Sequence, residues 1–274
     1  MSREIKNWAE MELELKKSSA AKWLINLVPA ITLIALIPSI LGFSNLFISS
    51  MVLIQWILMF SFGKQINQYF RFFGRKSELI EKYMQLLHLI EESEFQSEHL
   101  LALQKKVQQP VSASKIFNEL KSQVKKFEYR GNIIVGFFLN SLFLWDIRCI
   151  YQLWKWHQKY HKKLALWLDV IAETDALISL SNYAGNHAEF VFPHIHEGGF
   201  TFNAKQLGHP LLHPEKRINN DIEINGWSKA MIITGANMAG KSTFLRTVGV
   251  NFILGRMGAP VCAEEMTFTP VKIY

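Results

Sequence analysis

Apolar positions along this chain fall into three regimes. The first is an uninterrupted block. From Trp23 to Gly63 no charged residue occurs, and the runs "WLINLVPAITLIALIPSILGF" and "LFISSMVLIQWILMFSF" meet at the polar turn "GFSN". The first run is long enough to cross hydrocarbon as a helix, and the second is at the short limit. Pro29 and Pro38 predict kinks in the first, which bilayer helices tolerate better than soluble ones. The pattern predicts a transmembrane helical hairpin over residues 23–63, with a hairpin buried in a soluble core as the alternative. Residues 1–22 read as a short amphipathic helix ahead of it.

The second regime, residues 64–184, repeats apolar positions at helical spacing. "KSELIEKYMQLLHLIEESE" opens with Ser77 as a cap, and "SKIFNELKSQVKKFEYR" follows a break at Pro110. The stretch from Asn132 to Ala184 predicts one long helix or two. Within it, "IIVGFFLNSLFLW" is apolar but short for a span and is closely bounded by Asp146 and Arg148, so a buried core helix is expected.

After Tyr183 the pattern changes to short runs of aromatic and β-branched residues broken by glycine and proline, which read as strands and turns. "NNDIEINGWSKAMIITG" predicts two strands joined at Asn225-Gly226, a strong hairpin signal. "AMIIT" reads as a buried strand, "TFLRTVGVNFILGRMG" as a helix with apolar positions at Phe244, Leu245, Val248, Phe252 and Ile253, and "APVCAEEMTFTPVKIY" as further strand.

Between that strand and helix lies Gly235, Ala236, Asn237, Met238, Ala239, Gly240, Lys241, Ser242 and Thr243, which fits G-x-x-x-x-G-K-[ST]. Glycines let backbone N–H groups converge on phosphate oxygens, and the helix N-terminus adds the positive end of its dipole. Lys241 would reach the β- and γ-phosphates and the Ser242 hydroxyl would ligate Mg²⁺. A chance glycine loop with a solvated lysine is the bland alternative, and the strand–loop–helix context argues against it.

Composition adds less. The chain of 274 residues is long enough for two domains, and its net charge of +7 suits nucleic acid, an acidic membrane surface or no specific partner. Basic residues flank the apolar block at Lys16, Lys17 and Lys22 and again at Lys64, Arg71, Arg75 and Lys76. The positive-inside rule then places both ends in the cytoplasm, in a cell inner membrane, with the turn outside. The apolar block starts too late and runs too long for a signal peptide. Cys149 and Cys262 are far apart, show no metal spacing and read as small core residues in a reducing compartment.

Other candidates carry bland readings beside sharp ones. "WKWHQKYHKK" is a nucleic-acid surface, a headgroup-level patch, or an amphipathic helix with Ile147, Ile150, Trp154, His157, His161, Leu164 and Leu168 on one stripe. His194 and His196 share a strand face without an apparent third ligand. Glu264 and Glu265 are given no acid–base role.

"TGANMAGKSTFLR" closely resembles the loop of the MutS family of DNA-repair ATPases, differing at Ala236 where that family usually has proline. "LGHPLL" (207–212), "NNDIEI" (219–224) and "GAPVCAEE" (258–265) resemble further elements of its ATPase domain, and "WLDVIAETDALISLSNYA" resembles the helix leading into it. His209 matches a turn histidine of that pattern. The likeness is specific over residues 165–274 and only general over 75–164. Residues 1–74 resemble the membrane-anchored MutS-related branch found in some bacteria.

The resemblance implies a multidomain fold: an N-terminal two-helix transmembrane hairpin, a mostly α-helical core and lever region, then the start of an α/β P-loop ATPase domain over 185–274. It implies ATP and Mg²⁺ as cofactors, adenine contact at Arg217 and Ile218, a homodimer through the ATPase domain, and DNA as a possible partner. The family's Phe-x-Glu mismatch reader has no counterpart, since "EFQ" (94–96) is not that element. Its Asp-Glu strand and serine signature loop do not occur before Tyr274, so a truncated chain that binds nucleotide weakly and hydrolyses it poorly or not at all is expected. Two functions follow: a nucleotide-dependent DNA-binding repair ATPase, or a membrane-tethered switch acting on protein or lipid without DNA.

Overall fold

The structure, a computed structural model, describes Leu15, residues 18–236 and residues 239–272. Most of the amphipathic segment expected over 1–22, together with Asn237 and Met238, lies outside these described residues. The chain is mostly helical with one small mixed sheet, and it divides into two compact units, Met1–Thr174 and Asp175–Tyr274.

In the first unit, helices α1 (Ser18–Ile40) and α2 (Leu46–Phe73) form the hairpin. Their most apolar 18-residue stretches have mean hydropathies of 2.0 and 1.9, and only 17% and 11% of those stretches are buried. α1 runs on through Pro29 and Pro38. At the tip Gly42 takes φ +80°, Phe43 N–H donates to the Pro38 carbonyl and Ser39 Oγ donates to Asn45 Oδ1. The residues that are buried form narrow stripes: Ala21, Ile25, Pro29 and Thr32 on α1, and Gln55, Met59, Phe62, Ile66, Tyr69 and Phe73 on α2.

Helices α3 (Ser77–Glu92), α4 (Glu98–Gln108) and α5 (Ala113–Glu128) build a soluble-type core around Leu87, Leu103, Val107, Phe117, Leu120 and Val124. Ser77 is the first residue of its helix rather than its cap, because a better anion is at hand. Glu128 Oε1 accepts from Ser77 N–H at 3.1 Å and Oε2 from its hydroxyl at 2.7 Å. The arrangement is reciprocal: Glu91, near the end of α3, accepts from Ser114 N–H at 3.1 Å and from the Ser112 hydroxyl at 2.9 Å at the start of α5. Each helix thus caps its neighbour's N-terminus, where orphan N–H groups and the dipole favour negative charge.

The stretch after Asn132 holds two helices, α6 (Ile133–Phe143) and α7 (Trp145–Asn186), bent by 82°. The break is at Leu144, buried in the left-handed region at φ 49°. Asn140 Oδ1 accepts from the Asp146 N–H across it. α6 is not the buried core helix that its composition predicts. Ile133, Ile134, Phe137 and Phe138 are exposed, while Gly136, Asn140 and Ser141 are buried. α7 is amphipathic: Ile147, Ile150, Leu153, Trp156, His157, Leu164, Trp167 and Leu168 are buried, and Trp156 Nε1 donates to the Ile116 carbonyl. Trp154 and His161 are half-buried, so the aromatic part of "WKWHQKYHKK" packs inward and Lys155, Lys159 and Lys162 face out.

The second unit contains β1 (His194–Ile195), β2 (Thr201–Leu207), β3 (Asn220–Asn225), α8 (Lys241–Arg256) and β4 (Glu265–Phe268). Sheet order is β1-β4-β2-β3, with β1 parallel to β4 and the other pairs antiparallel. Phe202 pairs with both Phe268 and Ile224, and a bulge between Ala204 and Leu207 leaves the Gln206 N–H to donate to Asp221 Oδ1 at 2.8 Å. α8 covers one face, with Phe252 against Phe202 and Phe268.

The predicted hairpin at Asn225-Gly226 does not form. Gly226 makes its turn at φ +89°, but β3 pairs with β2, and Ala230–Thr234 is irregular with Ile232 85% exposed. An all-apolar strand needs ladder partners and cover on both faces, and among the described residues no strand pairs with this one.

Candidate functional site

The glycine-rich loop ends where Gly240, at φ +82°, turns the chain into α8. That left-handed conformation suits glycine. Phe244 N–H donates back to the Gly240 carbonyl at 2.9 Å, closing the first helical turn. The N–H groups ahead of it have no intrahelical acceptor, which makes this end a place for an anion. Lys241 curls over the loop, and its Nζ donates to the carbonyls of Gly235 at 2.7 Å and Ala236 at 2.5 Å. The ammonium is therefore held beside the open helix end rather than extended into solvent.

A cavity of about 550 Å³ brings the loop together with residues distant in sequence. Ala239, Gly240, Lys241 and Thr243 line one side; His209, Ile218 and Asp221 line another. Its size is that of a small-molecule site. Ile218 is 81% exposed, leaving an apolar face free for a planar ring. Asp221 is a carboxylate in this lining that no motif in the sequence marks as a site residue; its partner at the β2 bulge fixes its position.

Some predicted residues are placed elsewhere. The Arg217 guanidinium lies 5.6 Å over the Phe190 ring, and Arg217 is outside the cavity lining. Its methylene stem crosses Gly208 so closely that a Cβ there would lie 2.6 Å from Arg217 Cδ, which accounts for glycine at that point. Ser242 is exposed in the first turn of α8, and Gly235 and Ala236 meet the site through the Lys241 bonds. His209 caps its own turn: its Nδ1 accepts from Leu211 N–H and its carbonyl from Leu212 N–H. Glu265 pairs with Lys205 at 2.7 Å across β4 and β2, which holds its carboxyl below the usual range, a surface strand pair rather than an acid–base group. Among the described residues no cluster of three histidine, cysteine or acidic side chains could hold a metal, His194 and His196 included.

What fixes α8 under the loop is Asn251, fully buried in the middle of that helix. Its amide donates to the Gly208 carbonyl at 2.9 Å and its oxygen accepts from Cys262 N–H at 2.8 Å. One side chain thus ties the helix after the glycine-rich loop to the end of β2 and to the segment before β4. The signal in the sequence was a lone amide beside Phe252 on an apolar stripe.

Comparison with known proteins bears on the glycine-rich loop and the helix after it. Residues 231–274 match the family model of MutS domain V. The chain is 38% identical over 96 residues to endonuclease MutS2 of Enterococcus faecalis, covering 35% of this chain and 12% of that protein. It is 38% identical over 107 residues to DNA mismatch repair protein MutS of Ehrlichia ruminantium, covering 39% and 13% respectively. DNA mismatch repair protein MSH6 of Arabidopsis thaliana is 35% identical over 127 residues, or 42% of this chain and 9% of that protein. The chain thus spans roughly an eighth or less of each of these relatives. These matches support a likeness to the MutS family over part of the chain.

Proposed function

We propose that this chain carries a MutS-like ATP site of P-loop type and couples the nucleotide held there to ATP-dependent DNA binding related to mismatch repair. The observation that carries the reading is the single cavity uniting Gly240, Lys241 and Thr243 with Ile218. The residues fit a nucleoside triphosphate. Ile218 would offer an apolar face to the base, α8 its open N-terminus to the phosphates, and Lys241, now bonded to two carbonyls, its ammonium to the phosphate oxygens. Ser242, next to Lys241 in the first turn of α8, is the residue that would hold Mg²⁺, which would supply charge neutralisation at the phosphates. Equilibrium binding of a fluorescent ATP analogue with Mg²⁺ to the full chain tests this. Saturable binding that weakens on Ile218→Asp supports it, and an unchanged affinity for that variant removes the base from this cavity.

The same reading places α1 and α2 across a cell inner membrane, with both termini cytoplasmic and the 41–45 tip outside, and has the ATPase units pair as a homodimer. The exposed apolar exteriors of α1 and α2, free of charged residues from Trp23 to Gly63, support the tether. That tether also favours a second reading, a nucleotide switch acting on protein or lipid without DNA. Salt dependence separates the two: a DNA clamp loses affinity steeply as salt rises, because each neutralised phosphate releases counterions. Absence of DNA binding by the full chain at low salt leaves the switch.

A further inference from the structure

The helix α6 has its polarity inverted. Its interior-facing side is Gly136, Asn140 and Ser141, and its outward side is Ile133, Ile134, Phe137 and Phe138, exposed at 87%, 70%, 50% and 59%. In water this arrangement is unfavourable by the whole hydrophobic term. In hydrocarbon it is the expected one, with small and polar residues at the helix contacts and apolar ones outside.

The polar side meets the hairpin through Ser141 and the backbone carbonyls of Asn140 and Ser141. Trp56 Nε1 on α2 donates to Ser141 Oγ at 3.1 Å, and the Trp56 ring packs on Phe137 with centroids 5.5 Å apart. Gln55, with its amide set to satisfy its neighbours, donates to the carbonyls of Asn140 at 2.7 Å and Ser141 at 3.2 Å and accepts from Thr32 Oγ1 on α1. Those two carbonyls belong to the last turn of α6, where no intrahelical donor exists. A helix end left without water needs such partners. At the other end the Asn132 side chain accepts from Ile134 and Val135 N–H groups, beside Tyr129 and Arg130, residue types suited to the headgroup layer.

From these features we infer that α6 is an intramembrane half-helix, docked on the α1–α2 hairpin and covered by lipid acyl chains along Ile133, Ile134, Phe137 and Phe138. The inference rests on the reading of α1 and α2 as membrane spans and extends it to a third element. Eleven residues rise about 16 Å, roughly half the ~30 Å hydrocarbon core. α6 therefore enters without crossing, and the break at Leu144 turns the chain into amphipathic α7. The apolar exterior of α6 continues that of α2, where Leu53, Ile57 and Phe60 are exposed. This continuity selects lipid as the occupant.

Depth-dependent fluorescence quenching tests it. The full chain, with a bimane label on Phe138→Cys, is reconstituted in phosphatidylcholine–phosphatidylglycerol vesicles carrying nitroxide on the acyl chain. Phe60→Cys on α2 is the hairpin control and Ser122→Cys on α5 the water-facing one. Phe138 and the other labelled positions are exposed and the native Cys149 and Cys262 are buried, so the label reports one place without disturbing packing. Ile134→Cys serves as a second position on α6. Quenching at 138 and 134 equal to that at 60, with none at 122, supports the half-helix. Quenching at 60 alone overturns it while the hairpin stands, and includes the case of a second protein chain covering α6. Loss of quenching at 60 as well overturns both readings.

Discussion

Asn251 Oδ1 accepts the backbone N–H of Cys262 at 2.8 Å while the same side chain donates to the Gly208 carbonyl. All three groups are buried away from solvent around α8. Replacing the amide with a leucine leaves a donor and an acceptor without partners, and each such loss costs about 1–3 kcal/mol. Asn251→Leu is therefore expected to destabilise the C-terminal unit by about 2 kcal/mol or more. Urea unfolding of the full chain, followed by near-ultraviolet circular dichroism, reads this directly. A variant as stable as the parent removes Asn251 from its fixing role.

The exchange of caps between α3 and α5 gives a second expectation. Glu128→Ala removes both acceptors at Ser77, and Glu91→Ala does the same at Ser112 and Ser114. Each change is expected to cost about 1 kcal/mol, the usual size of a lost helix cap. Glu128→Gln retains an acceptor and should cost less. Hydrogen exchange at the first turns of α3 and α5 separates a cap effect, confined to those N–H groups, from general loosening.

Thiol chemistry gives a third. Burial raises the Cys262 thiol above its ordinary range, with Arg217 pulling weakly the other way, and Cys149 is 3% exposed. A raised pKa leaves less thiolate at neutral pH, and thiolate is the reactive form. Alkylation of the native chain at pH 7 is expected to be slower than that of a free thiol, to rise only as pH passes the usual thiol value of about 8.5, and to become complete in denaturant. Rapid labelling of Cys262 at neutral pH contradicts its burial.

Much of this was legible in the sequence because the signals are local. The hairpin follows from a charge-free block bounded by lysines and arginines, and α8 from apolar positions every three or four residues after Gly240. Three features were not legible. Ala230–Thr234 has strand composition, yet a strand exists only through its neighbours, and among the described residues nothing pairs with this segment, although β3 is an edge strand. α6 has core composition, but composition cannot say which face turns inward, and here Asn140 and Ser141 do. Asp221 entered the cavity through a bulge between Ala204 and Leu207 that brings the Gln206 N–H to its carboxylate.

The account depends most on the ammonium of Lys241, held between the Gly235 and Ala236 carbonyls at the mouth of α8. Titration calorimetry of the full chain in detergent with a non-hydrolysable ATP analogue and Mg²⁺, parent against Lys241→Ala, measures its contribution. A charge-assisted bond contributes about 1.5–3 kcal/mol, so the variant should bind at least about tenfold more weakly. Equal affinity for parent and variant, or no nucleotide binding by either, contradicts the account.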